Sequence, residues 1–422
     1  MSQLLKSATI IAPGSAYHKK KRDILINKGK IQKIAANIKE SKANLIRSKN
    51  LHVSIGWFDI GCHHGEPGLE QRETLESLNM TAVKGGYTGL ATFPNTNPVV
   101  QHKGDIKYIK ESTRDMLVDF HPIAALSKDC DGKAMTEMLD LNAAGAVAFS
   151  DGLKPINNPG LLSRALEYKK SFSGKILHHA MDTSLNDKGQ IHEGAMSISL
   201  GLAGISVISE KTMVERDINI ADYTQSDIIL HGITTKESVE EIKNAKKKKI
   251  GIVATVPYLN LVKLDTSLHE FNVNLKVLPP LRDASNQNSM LQAVKKNSVD
   301  AIISNHYPLE IEDKKKEFPY AAFGAAGLQS VFAALNTYCR KDLSLEKIIE
   351  KISVGPRRIL SLPIPSIEEK MPANLVAFDP DIEWTFEISK NSSLSINNPF
   401  LGETLRGKVI ACFNNGIAFI SE

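Results

Sequence analysis

The stretch DIGCHHGEPG at residues 59–68 brings Asp59, Cys62, His63, His64 and Glu66 close together in the chain. Imidazole, thiolate and carboxylate groups are the types that ligate zinc or move protons. On a strand, residues two apart share a face, so Gly61 and His63 point one way and Cys62 and His64 the other. A slip of one residue would exchange the two sets and offer Cys62 with His64 instead. Further along, Asp151, His179, His231 and Asn305 each close a short apolar run. Taken singly, such a histidine is more often an ordinary part-buried side chain than a ligand, and Asp151 equally suits a helix N-cap or turn.

The elements that must position these residues alternate along the chain. Candidate strands rich in Val, Ile and Ala cover 51–60, 88–94, 118–126, 145–150, 175–180, 226–232, 250–256 and 299–305. Helical periodicity covers 73–86, 133–145, 236–249 and 288–297. Strand–helix units of this kind predict a (β/α)8 barrel, whose functional groups sit at the C-terminal ends of the strands. His63, Asp151, His179, His231 and Asn305 all fall at or just past such ends. The two chain ends differ from the middle, with short alternating strands and N-K-G, G-K and N-N-G turn signals. The predicted fold class is therefore α/β: a TIM-like barrel over 55–365, with a small β-sandwich domain built from both chain termini, 1–54 plus 366–422.

A chain of 422 residues that is 42% hydrophobic can bury a large core. Lys and Arg outnumber Asp and Glu only by 52 to 47, and the basic runs at 19–22, 246–249 and 314–316 are dispersed, which argues against a nucleic-acid footprint. Cys62, Cys130, Cys339 and Cys412 form no C-x-x-C pair, so neither a zinc ribbon nor a disulfide framework is predicted. The N-terminal apolar run is too short for a secretion signal, and none approaches the roughly 18 residues of a membrane span. A cytoplasmic protein without membrane contact is expected.

Further motifs follow in order: FPNTNP (93–98), AFSDG (148–152), EGAMSISLGLAGI (193–205), ERDI (215–218), LKVLPPLR (275–282), SNHYP (304–308), FGAAGLQS (323–330), NLVAFDP (374–380) and NNPFLGETLRG (397–407). With the EPG stretch they make the chain resemble, over almost its whole length, the dihydroorotases of the amidohydrolase superfamily. In the bacterial type, the barrel is flanked by a composite β-sandwich. The resemblance implies two zinc ions whose bridging hydroxide attacks the cyclic amide of dihydroorotate, with an Asp after the eighth strand shuttling the proton.

Carried over residue by residue, the resemblance makes His63, Asp151 and His179 metal ligands and Asn95 a substrate-binding residue. His231 falls one residue out of register and needs a local bulge to serve as a ligand. The departures are as specific as the matches. Gly61 and Gly232 stand at metal-histidine positions, Gly65 at that of a carboxylate-binding Arg, Gly152 where a second Asp is common, and Met181 at that of a Glu. Leu278 and Leu309 replace a substrate-binding Asn and a closing His, and Asn305 takes the place of the catalytic Asp. An amide cannot accept a proton near neutral pH, so acid–base help on the order of 10²- to 10⁴-fold is lost.

The expectation is a dihydroorotase-like protein of pyrimidine biosynthesis with lost or strongly reduced hydrolysis, holding one zinc ion or none rather than two. Its expected partners are aspartate transcarbamoylase, dihydroorotate or carbamoyl-aspartate as ligand, and further copies of itself. The alternative is an active zinc-dependent dihydroorotase, or another cyclic-amide hydrolase, with an altered or single-metal site.

Overall fold

The computed structural model describes residues 2–186 and 188–421. Both chain ends are short strands: β1 (Gln3–Ile11), β2 (Lys21–Asn27), β3 (Lys30–Ala35), β4 (Asn44–Ile46) and β5 (His52–Ile55), with β16 (Leu375–Thr385), β17 (Thr404–Asn414) and β18 (Ile417–Ile420). They form one sheet in the order β18-β17-β16-β5-β1-β2-β3, with β4 alongside β1. The two ends join where β16 runs antiparallel to β5, with Leu375 opposite Ile55. Leu5, Ile24, Ile31, Val53, Leu375, Ala411 and Phe413 share its core. Lys28–Gly29 and Asn415–Gly416 adopt positive φ, as the hairpin turns read from the sequence require.

The predicted strand at 51–60 is two strands. β5 belongs to the terminal sheet and β6 (Trp57–Cys62) opens the barrel. Gly56 lies between them, where a Cβ would overlap the Thr88 and Asn374 side chains. The chain crosses from sheet to barrel there without room for a side chain.

The barrel follows with β7 (Tyr87–Thr92), β8 (Asp119–Ala124), β9 (Ala148–Phe149), β10 (Leu177–His178), β13 (Ile228–Leu230), β14 (Ile252–Pro257) and β15 (Ala301–Ile303). A small parallel pair, β11 (Ile191–His192) and β12 (Gly204–Ile205), lies outside it. β6 and β7 are buried at every residue, as parallel strands covered on both faces must be. The strands pair in two parallel arcs, β6-β7-β8-β9 and β10-β13-β14-β15. A parallel bridge from Phe149 to Ile176 joins the arcs on one side.

On the other side Asp59 closes the ring. Its Oδ1 accepts from Ser304 N at 2.8 Å and its Oδ2 from the Ser304 hydroxyl. Complete burial pushes the Asp59 carboxyl up to about 6 against the pull of these bonds. Beyond β6, Glu66 accepts from Leu75 N at 3.0 Å and so caps the helix Leu75–Gly85 alongside Thr74.

Candidate functional site at the barrel mouth

Three histidines gather past the C-terminal ends of the strands. The His63 ring, just after β6, lies 5.0 Å from that of Phe93 and 4.3 Å from that of Tyr307. His231, just after β13, meets the other side of this cluster, its ring centroid 5.2 Å from that of Phe93. Its Nδ1 sits 3.2 Å from the Thr255 hydroxyl, and the backbone then turns through Gly232 at φ +78°. His179 follows β10 and lies beside Gly232.

All three rings are buried, and His63 Nε2, His231 Nε2 and both ring nitrogens of His179 have no hydrogen-bond partner. Burial lowers the His179 pKa to about 4 and that of His231 to about 3, and it holds His63 well below the ordinary range. These imidazoles are neutral at pH 7, the form that binds metal.

The other expected site residues are placed differently. Asp151 spends its carboxylate on the loop after β8: Oδ1 accepts from Leu126 N at 3.0 Å and Ser127 N at 2.9 Å, and Oδ2 bonds the Ser127 hydroxyl. That is the turn-capping role, in which the loop after β8 takes up both carboxylate oxygens. Asn95 donates through Nδ2 to the Asp151 carbonyl at 3.1 Å, leaving its buried Oδ1 without a partner. Asn305 adopts φ +49° and donates to the Leu278 carbonyl at 3.0 Å, with Oδ1 likewise unpartnered. Cys62 faces the neighbouring strand, its Sγ 3.8 Å from the Ala91 carbonyl. His64 is buried as well, with both ring nitrogens unpartnered and its pKa held to about 4.

Two features of the mouth have only faint signals in the sequence. Phe93, part of FPNTNP, contributes the aromatic ring that both His63 and His231 touch. Glu73, fully buried, accepts from the Ser77 and Ser393 hydroxyls and from Leu394 N at 3.3 Å, and lies 3.4 Å from His306 Nε2. It thereby ties the loop after β6 to the loop after β15 and to a strap at 388–398 that returns from the terminal sheet. Nothing in the spacing of Glu73 marks it. His178 also has a partner distant in the chain: its Nδ1 lies 2.5 Å from Asp217 Oδ2, and its Nε2 accepts from Ile156 N at 2.8 Å.

A zinc centre of the implied kind needs convergent imidazoles and carboxylates. Here the nearby carboxylates of Asp59 and Asp151 are engaged by backbone and serine donors, and Phe93 packs against both His63 and His231. Among the described residues no group of three His, Cys, Asp or Glu is placed to hold a metal ion. As placed, these donors do not fit the implied zinc centre.

The closed barrel with its flanking sheet is the fold of solved hydantoinases. It superposes on an L-hydantoinase from Arthrobacter aurescens with a TM-score of 0.86 at 20% identity, over 100% of this chain and 96% of that one. It also superposes on a D-hydantoinase with a TM-score of 0.81 at 19% identity, over 100% and 95%. At such identities the likeness speaks for the fold alone. The sequence comparisons go further. Residues 52–238 match the family described as dihydro-orotase-like. The chain is 36% identical over 391 residues to a dihydroorotase of Ruminiclostridium cellulolyticum, covering 92% of this chain and 91% of the relative. It is 34% identical over 420 residues to a dihydroorotase of Syntrophus aciditrophicus, covering 99% and 98%. The chain belongs to the dihydroorotase family. Among the described residues no helix is long and apolar enough to cross a membrane.

Proposed function

We propose that this chain is a dihydroorotase-family protein of pyrimidine biosynthesis that lacks the family's two-zinc hydrolysis of dihydroorotate and serves as a noncatalytic member. In this role it assembles with itself and with aspartate transcarbamoylase. The observation that carries the reading is the donor set at the mouth. Three neutral imidazoles stand there without a free carboxylate, and an amide, Asn305, stands where the family resemblance sets the proton-transferring Asp.

A second reading, an active dihydroorotase with an altered or single-metal site, is favoured by the names of the relatives. It is also favoured by the buried, unpartnered nitrogens of His63, His179 and His231, since such groups call for a water or an ion. The test is turnover of dihydroorotate, and of carbamoyl-aspartate in reverse, by the purified chain supplied with zinc. Zinc-dependent turnover that disappears in His179→Ala establishes the second reading. Background rates with and without zinc, together with copurification of aspartate transcarbamoylase, support the first.

A further inference from the structure

The implied zinc site disagrees with more than the donors at the mouth. The family pattern sets His, Arg and often Asp at positions 61, 65 and 152, where this chain has glycine. Gly61 has φ +80° and sits at a register shift between Ile60 and Cys62, and a Cβ there would lie 2.7 Å from Phe93 Cε2 and Cζ and 2.8 Å from His231 Cε1. At Gly65 a Cβ would overlap the Leu69 carbonyl oxygen and lie 2.8 Å from the Glu73 carbonyl oxygen. Those obstacles are backbone atoms held in a tight loop, with Leu69 N bonded to Gly65 O at 2.7 Å and Gly65 N to Glu73 O at 2.7 Å. Gly152 has φ +69°, and its Cβ would overlap Asn95 Oδ1. Gly232 shares the left-handed backbone, at φ +78°, but not the crowding. Its nearest neighbours would be Pro279 Cγ at 3.5 Å and His179 Nδ1 at 3.8 Å, ordinary van der Waals contact.

We infer that the mouth is built around glycine at 61, 65 and 152, so that the backbone path and the Phe93 ring, and not only the missing side chains, exclude the family's metal and carboxylate-binding groups. Reinstating a side chain at 61 or 65 displaces Phe93 or breaks the 65–73 loop before it can bind anything. A left-handed backbone adds strain for any non-glycine residue at 61, 152 and 232, so what sets 61 and 152 apart from 232 is the crowding. The inference deepens the proposed loss of hydrolysis and rests on that reading.

The test uses the full chain and its Gly61→His, Gly65→Arg and Gly232→His variants, each incubated with zinc sulfate and desalted, with zinc per chain and Tm measured. Gly61→His and Gly65→Arg should lose about 2 °C or more, because a chain of this length shifts its Tm less per lost interaction than a small domain does, and retain no more zinc than the unmodified chain. Gly232→His should lose less than either. In case the larger variants fail to fold, Gly61→Ala is compared in the unmodified and Phe93→Ala backgrounds. The drop in Tm should be smaller where the ring is gone. Equal drops in both backgrounds, or a Gly61→His or Gly65→Arg variant with unchanged Tm and an added zinc ion, would overturn the inference. Zinc-dependent turnover by the unmodified chain would instead sink the functional reading. An inactive chain whose Gly61→His variant takes up zinc would sink this inference alone.

Discussion

His231 and Phe93 meet edge to face at the barrel mouth, with ring centroids 5.2 Å apart and planes at 82°. The His63 ring packs against the same phenyl group, so Phe93 is the common contact of two histidines that come from distant strands. Because Phe93 is only 1% exposed, Phe93→Ala should leave a cavity and cost about 3–5 kcal/mol. Urea unfolding of the variant measures this directly, and a loss below about 1 kcal/mol would mean that the site collapses freely around the missing ring.

Stability should fall as the pH drops below neutrality. His64, His179 and His231 have folded pKa values of about 4, 4 and 3, below the ordinary 6.5. Between pH 6.5 and about 4 the unfolded chain takes up protons that the folded chain refuses, so each group's contribution is intact above 6.5 and is lost on acidification, at up to about 1.4 kcal/mol per pH unit. Asp59 works in the opposite sense. Its folded value of about 6 lies above the unfolded 3.8, so its contribution is present below the unfolded value and lost as the pH rises through about 6, which offsets one histidine on acidification. Denaturant titrations of metal-free protein at pH 7, 6 and 5 should show a steadily falling midpoint. A flat profile would contradict neutral, buried imidazoles.

Asp151 should behave as a turn-capping residue. Asp151→Ala strips an acceptor from Leu126 N, Ser127 N and the Ser127 hydroxyl and should cost ~3 kcal/mol, whereas Asp151→Asn, which keeps one carbonyl oxygen, should cost less. Zinc content should be the same in both variants and in the unmodified chain. A drop in zinc without a drop in Tm would make Asp151 a ligand after all.

Glu73→Ala should release the strap at 388–398, because Ser393, Leu394 and His306 all converge on that carboxylate. Removing one partner from a buried charged cluster typically costs about 3–5 kcal/mol. Hydrogen exchange should accelerate at Ser393 to Ser395 in the variant. Unchanged protection there would mean that the remaining strap bonds, such as Leu309 N to the Ser395 hydroxyl at 3.0 Å, hold it unaided.

The sequence by itself determined the barrel, the joining of the two chain ends in a flanking sheet, and the family, because apolar periodicity and turn residues are local and the motifs keep their order over the whole chain. It also showed that positions 61, 65 and 305 depart from the pattern. Only the tertiary structure decided what those departures mean. Whether a glycine is a vacancy or a packed position depends on atoms distant in sequence, as with Phe93 and His231 around Gly61. The direction of the Asp151 carboxylate was set by a loop more than twenty residues earlier, at Leu126 and Ser127. His231 stands at the mouth directly after β13, where it meets the Phe93 ring from a distant strand. Glu73 became a clasp only once the C-terminal strap had folded back over the barrel. Contacts of this kind depend on side-chain direction and on loop closure in three dimensions, and a one-dimensional pattern carries neither.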